Sequence, residues 1–163
     1  MLKILLIEDE NINRVTLLKL LEHAGHNVVS VETGTKGMQA IQDQSWDVVL
    51  TDLRLPGADG LEILDEVKSI SPNTQVLIMT AYATVENAIT ALKKGAFDYL
   101  TKPFEPDELF HHLDRIEGIK ALSSENEALK ASLAELKVAP DLIGKSEIMH
   151  SLIDKVKMVA DSE

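Results

Sequence analysis

Apolar residues fall in short runs that alternate with segments of helical spacing. Residues 2–7 (Leu-Lys-Ile-Leu-Leu-Ile) make a nearly continuous aliphatic run ending at Glu8-Asp9-Glu10, the profile of a strand covered on both faces. Val15, Leu18 and Leu21, with Leu17 and Ala24, then recur every three or four positions up to Gly25, which predicts a helix. The alternation repeats. Residues 27–31 read as a second strand, and residues 35–43, with Met38, Ala40 and Ile41 apolar, as a second helix. Residues 46–51 make a third strand, followed by a helix carrying Leu61, Ile63, Leu64, Val67 and Ile70 that stops before Pro72. Residues 75–79 make a fourth strand; Val85, Ala88, Ile89 and Leu92 mark a fourth helix closed by Gly95. Residues 97–100 make a fifth strand, and a fifth helix opens near Glu105 with Leu109, Phe110, Leu113 and Ile116 on one face.

Five apolar strands alternating with five helices predict an α/β fold with a doubly wound parallel sheet, because parallel neighbours need crossover helices. In such sheets the ligand site lies beyond the carboxyl ends of the strands. Applied here, that rule gathers Glu8 and Asp9 after the first strand, Asp52 after the third, Thr80 after the fourth and Lys102 after the fifth. Taken alone, Asp52 before Leu53-Arg54-Leu55-Pro56-Gly57-Ala58-Asp59-Gly60 reads as a turn former, Thr80 as a helix cap and Lys102 as a solvated charge. Brought to one rim they read differently.

Composition narrows the chemistry. The chain has 163 residues, 45% of them hydrophobic, enough for one core and an appendage. No apolar run approaches the roughly 20 residues that span a bilayer, and the amino terminus shows no cleavage signature, so a cytoplasmic protein is expected. The absence of Cys removes disulfides and thiolate-bound metals. With 27 acidic and 16 basic residues the net charge of -11 opposes nucleic acid. Carboxylates crowded at a rim must share protons or bind a cation, and oxygen-only ligands favour Mg²⁺ before Ca²⁺. A metal beside Asp52 would bring in a phosphoryl group and offset its charge while Asp52 attacks phosphorus. Lys102 would add a positive charge, and the Thr80 hydroxyl a hydrogen bond.

Glu8-Asp9, Asp52 in Asp-Leu-Arg-Leu-Pro-Gly-Ala-Asp-Gly, Thr80-Ala81, Tyr99 and Lys102-Pro103 together resemble the receiver domain of two-component response regulators. The resemblance covers residues 1–118 and implies a flavodoxin-like, CheY-like sheet of order 2-1-3-4-5. It implies phosphorylation of Asp52 by a partner histidine kinase. It further implies Mg²⁺ held by Asp9, Asp52 and the Arg54 carbonyl, with Glu8 acting through water, and a cis Lys102-Pro103 peptide. Thr80 and Tyr99 become the switch, the hydroxyl moving onto the phosphoryl group while the ring turns inward. Arg54 and Tyr82 flank this site and are expected to tune hydrolysis, whereas Glu10 reads as structural and His23, His26, His111, His112 and His150 as solvated or capping residues. Two other readings compete. A Mg²⁺-dependent phosphatase also uses an Asp nucleophile but typically carries a second Asp two residues on, where this chain has Arg54. An adaptor with a dead site would dimerise without binding metal.

Beyond the receiver, Ile119, Leu122, Asn126, Leu129, Leu133 and Leu136 alternate by three and four over residues 119–138, the seam of a coiled coil. Asn126 at an a position favours two parallel strands, so a homodimer is expected, with Gly118 as a point where the helix can bend. Ala139-Pro140 ends the helix. Gly144-Lys145-Ser146 is not a phosphate loop, since residue 139, where the first Gly would stand, is Ala. Instead residues 139–163 resemble the start of the AAA+ ATPase module of sigma-54-dependent activators of the NtrC/DctD type. The chain is therefore expected to be a receiver and linker from a longer transcription regulator, switching dimer geometry on phosphorylation; such linkers resemble those of regulators whose unphosphorylated receiver dimer restrains the ATPase.

Overall fold

A computed structural model describes the backbone of residues 1–138 and the side chains of residues 1–133. Its strands are β1 (Lys3–Ile7), β2 (Asn27–Val31), β3 (Val48–Asp52), β4 (Gln75–Thr80) and β5 (Asp98–Thr101). They alternate with α1 (Asn11–His23), α2 (Gly34–Asp43), α3 (Gly60–Ile70), α4 (Val85–Lys93) and α5 (Pro106–Val138). All four strand pairings are parallel, in the order β2-β1-β3-β4-β5. The expected flavodoxin-like sheet is thus the one observed. The resemblance to an ATPase module concerns residues 139–163, which lie outside the described residues.

The sheet separates two cores. On one face Leu17 and Leu21 of α1 and Leu109, Leu113 and Ile116 of α5 pack on Ile4, Leu6, Leu50 and Leu77. On the other, Ile41, Ile63, Leu64, Val67 and Ala91 of α2, α3 and α4 pack on Leu5, Ile7, Val49 and Ile78. Each fully buried aliphatic side chain contributes about 1.5 to 3 kcal/mol, and strands apolar at consecutive positions supply both cores at once. The α1 face differs slightly from its periodicity: Leu17 and Leu21 are buried, while Val15 is exposed.

The fourth helix departs further. Val85, Ile89 and Leu92, which set its helical spacing, are all exposed, and Ala91 is the residue buried on the sheet. A small side chain lets the helix approach β5 closely, so the wider apolar stripe faces outward. Caps define where helices start: Thr33 and Thr84 accept from main-chain N–H groups in the first turns of α2 and α4. At α3 the Asp59 carboxylate accepts from Leu61 and Glu62 at 2.9 Å while Glu62 accepts from the Asp59 N–H at 2.8 Å, a reciprocal capping box.

The last helix is continuous through Gly118. A compact unit spans Met1–Lys120. Within the described part of the seam, Ile119, Leu122, Asn126, Leu129 and Leu133 are exposed; Leu136 belongs to the helix, and its side chain is outside the described residues. No described helix is long and apolar enough to cross a membrane.

Candidate functional site: an acidic rim at the carboxyl ends of the strands

Main-chain hydrogen bonds carry the sheet ladder past the strand ends and so aim the site residues. The Glu8 N–H donates to Val31 at 3.1 Å, the Leu53 N–H to Met79 at 3.1 Å and the Lys102 N–H to Thr80 at 2.8 Å. Asp52 closes β3 opposite Met79, and Thr80 closes β4 opposite Thr101. The loop after Asp52 is shaped by two glycines. Gly57 has φ of +93°, where side chains are strained, and a Cβ there would lie 2.1 Å from Thr35 Oγ1. A Cβ on Gly60 would lie 2.5 Å from the Asp52 carbonyl oxygen; its absence lets α3 start against the end of β3.

Glu8, Asp9 and Asp52 each offer a carboxylate oxygen, and these atoms lie within 4.8 Å of one another. Glu8 is 1% exposed and Asp52 9%, while Asp9 is exposed. Lys102 lies between the two buried carboxylates, its Nζ donating to Glu8 Oε2 at 2.5 Å and to Asp52 Oδ2. Asp52 Oδ1 also accepts from the Arg54 N–H at 3.0 Å. Burial raises the Glu8 pKa, a shift that the Lys102 hydrogen bond only partly offsets. Burial also works against the Lys102 charge, but the hydrogen bonds to Asp52 and Glu8 outweigh it and raise that pKa. Three carboxylates against one ammonium leave the rim negative, and an all-oxygen donor set this tight fits a small hard cation.

The rim opens into a cleft of about 780 Å³ lined by Glu8, Asp9, Asp52, Lys102 and, on its walls, Arg54, Tyr82 and Phe104. The Arg54 guanidinium stacks 4.2 Å from the Tyr82 ring centroid, a cation–π pair beside Asp52. Thr80 is buried, and its hydroxyl oxygen accepts from the Tyr82 N–H at 3.1 Å. Tyr99 is half-buried, with its hydroxyl buried and without a hydrogen-bond partner among the described residues. Burial, followed by the nearby Asp52 charge, raises the Tyr99 pKa. The Lys102-Pro103 peptide is cis.

Of the other polar residues, some depart from their expected roles, Glu10 keeps its own, and one was not anticipated. His112 is packed rather than solvated: it meets Phe97 edge-on, and its Nδ1 lies 3.2 Å from Asp98 Oδ2. His26 Nδ1 accepts from the Leu2 N–H at 3.3 Å, and burial lowers its pKa. Glu10 is structural, accepting from Asn13 Nδ2 at 2.6 Å. The contacts of Arg14 with the carbonyls of Glu8 and Asp9 were not anticipated. Its place one helical turn after the acidic loop was the available signal, since a long side chain there reaches back over the residues before the helix.

A parallel five-stranded sheet with an acidic trio and a lysine at its carboxyl rim defines a phosphoacceptor type of signalling domain. Residues 4–114 match the response regulator receiver domain, and the chain belongs to that family. Among curated relatives, it is 37% identical to the transcriptional regulatory protein ZraR of Escherichia coli strain K12, over 98% of this chain and 35% of that protein. It is 34% identical to the DNA-binding transcriptional regulator NtrC of Klebsiella pneumoniae, over 90% of this chain and 30% of that one. The chain thus spans about a third of the length of these relatives. The receiver domain of the sensor histidine kinase PA1611 from Pseudomonas aeruginosa PAO1, solved with a magnesium ion coordinated in its active-site cleft, superposes with a TM-score of 0.65 at 31% identity. That match covers 72% of this chain and 98% of the other.

Proposed function

We propose that this chain is cytoplasmic, that Asp52 accepts a phosphoryl group from the phosphohistidine of a cognate sensor kinase, and that the acceptance changes how the chain associates. The observation that carries this reading is the convergence of Glu8, Asp9 and Asp52 within 4.8 Å beside Lys102 at the strand ends. A carboxylate oxygen of Asp52 attacks phosphorus as the donor's N–P bond breaks, and the imidazole leaves with the electron pair. Asp9, Asp52 and the Arg54 carbonyl would hold Mg²⁺, with Glu8 acting through water. Bound there, the ion would offset the charge that builds on the phosphoryl oxygens. Lys102 offers a second positive charge, which it now shares between Glu8 and Asp52. The domain promotes only its own phosphorylation and dephosphorylation.

Thr80 and Tyr99 form the switch in this reading. The Thr80 hydroxyl leaves the Tyr82 N–H to donate to a phosphoryl oxygen, and the unpartnered Tyr99 hydroxyl follows the space it vacates. The surface of α4, β5 and α5 changes with it. Exposed Ile119, Leu122, Leu129 and Leu133, with Asn126 and Leu136, form the seam of a parallel homodimer. Residues 1–118 serve as the receiver, 119–138 as the linker and 139–163 as the beginning of an AAA+ module. The relation to transcriptional regulators supports a whole protein that is itself a sigma-54-dependent activator, its receiver and linker controlling its own AAA+ module, with the unphosphorylated dimer as the restraining form.

A small phosphodonor with Mg²⁺ should add one phosphoryl group to the wild-type chain and none to Asp52→Asn, by intact mass. Equal labelling of both would remove the assignment. On the same samples, solution mass should report a dimer that becomes a monomer or weak dimer when the chain is cut before Ile119, and an unchanged mass would move the interface onto the receiver.

A further inference from the structure

Arg14 stands in the first turn of α1 and has no part in the chemistry above. Its guanidinium reaches back over the loop that joins β1 to α1. Nη1 donates to the main-chain oxygens of Glu8 at 2.8 Å and Asp9 at 3.2 Å, and Nη2 donates to Asn11 Oδ1 at 2.9 Å. Residues 8–10 belong to neither strand nor helix; at the two ends of this stretch the Glu8 N–H donates to Val31 and the Glu10 carbonyl accepts from the Arg14 N–H. The Glu10 side chain makes no cap hydrogen bond to α1. Between those ends, the Arg14 guanidinium is the side chain that bonds the Glu8 and Asp9 carbonyls.

The geometry of that tie matters. A guanidinium bonded to two consecutive carbonyls restrains the two peptide units on either side of the Asp9 Cα, and with them the directions in which the Glu8 and Asp9 side chains leave the chain. The donors also end on neutral oxygens: among the described residues Arg14 forms no ion pair with a carboxylate, in contrast to Lys102, which contacts two. Arg14 thus orders the loop while leaving the carboxylates available to a cation. Groups that orient ligands without touching the metal contribute strongly to affinity.

We propose that Arg14 is a positioning residue for the cation site, its paired Nη1 hydrogen bonds to the Glu8 and Asp9 carbonyls, steadied by the Nη2 bond to Asn11, holding both carboxylates at the spacing a small divalent ion requires. The inference rests on the reading of the rim as a divalent-cation site serving Asp52. Its test compares the whole chain as wild type, Arg14→Lys and Arg14→Met, with Mn²⁺ as the probe read by paramagnetic resonance and circular dichroism as the check on folding. Lysine keeps the charge but lacks the planar guanidinium whose Nη2 bond to Asn11 aims Nη1 at the two carbonyls, so it separates positioning from mere field. Both variants should bind Mn²⁺ about tenfold or more weakly with unchanged circular dichroism, and amide exchange at residues 8–11 should speed up in both without metal. Wild-type affinity in both variants overturns the proposal. Retention in the lysine variant with loss in the methionine variant also overturns it, since Arg14 would then act through charge alone. If Arg14→Met does not fold, the lysine variant decides. A wild-type chain that binds no Mn²⁺ would refute the cation-site reading itself, and unaltered exchange in the metal-free variants would refute the clamp separately.

Discussion

At the amino-terminal edge of the sheet, Asp47 Oδ2 accepts from the Lys3 N–H at 2.8 Å and from Lys120 Nζ at 2.6 Å. Nearby, Thr74 Oγ1 donates to the Trp46 carbonyl at 2.7 Å, so one carboxylate, one ammonium and the main chain balance one another. At the opposite edge, three carboxylates gather, and the Lys102 ammonium contacts two of them, Glu8 and Asp52. Both edges use the same parts. They differ in stoichiometry and burial: the Lys120 side chain is 48% exposed and that of Lys102 14%. A balanced, half-exposed pair pins α5 to the start of β3, whereas an excess of buried negative charge is a standing cost to folding that makes sense where a cation or phosphoryl group arrives.

Removing each lysine should expose this difference most strongly. Lys102→Ala leaves the carboxylates of Glu8 and Asp52 buried without a counter-ion, and should lower the unfolding free energy by about 3 kcal/mol. Lys120→Ala should cost at most about 1 kcal/mol. Urea titrations at neutral pH would measure both, and equal losses would erase the distinction between the edges. The lysine variants should also separate in function: phosphorylation from a small phosphodonor should slow sharply in Lys102→Ala and stay at the wild-type rate in Lys120→Ala.

A smaller effect should appear with pH. Burial raises the Glu8 pKa above its unfolded value, so the folded chain takes up this proton more readily than the unfolded one. The Glu8 contribution therefore makes the protein more stable as pH falls from neutral through the folded pKa, and levels off below the unfolded value of about 4.3. Glu8→Gln cannot titrate there. The stability of wild type relative to Glu8→Gln should rise over that interval, and parallel curves would show that Glu8 is not strained by burial. Saturating Mg²⁺ should reduce the rise, because a nearby cation favours the ionised carboxylate.

Much of the fold was legible because apolar runs of strand length and helices of three-to-four spacing announce themselves locally. The order of rim residues along the chain was also legible, since the strand-end rule turns sequence position into place. Less visible were the parts set by what lies opposite. The stripe of Val85, Ile89 and Leu92 has ordinary helical spacing, yet Ala91 is what meets the sheet, because closeness of approach chooses the buried face and periodicity does not. His112 looked like a surface residue until Phe97, just before β5, and Asp98, at its start, came beside it. Arg14 had no place in the reading of the sequence, because its contacts with the Glu8 and Asp9 carbonyls depend on how the loop before α1 runs.

From sequence alone came the class of fold, the residues that meet at the rim and the chemistry their oxygen atoms permit, because each follows from local pattern and residue type. Only the tertiary structure decided how those residues divide their partners. It gave Lys102 to two carboxylates at once, turned Arg14 onto main-chain oxygens and left the Tyr99 hydroxyl without a partner among the described residues. Hydrogen bonds act over about 3 Å, and which groups come that close depends on chain segments far apart in the sequence.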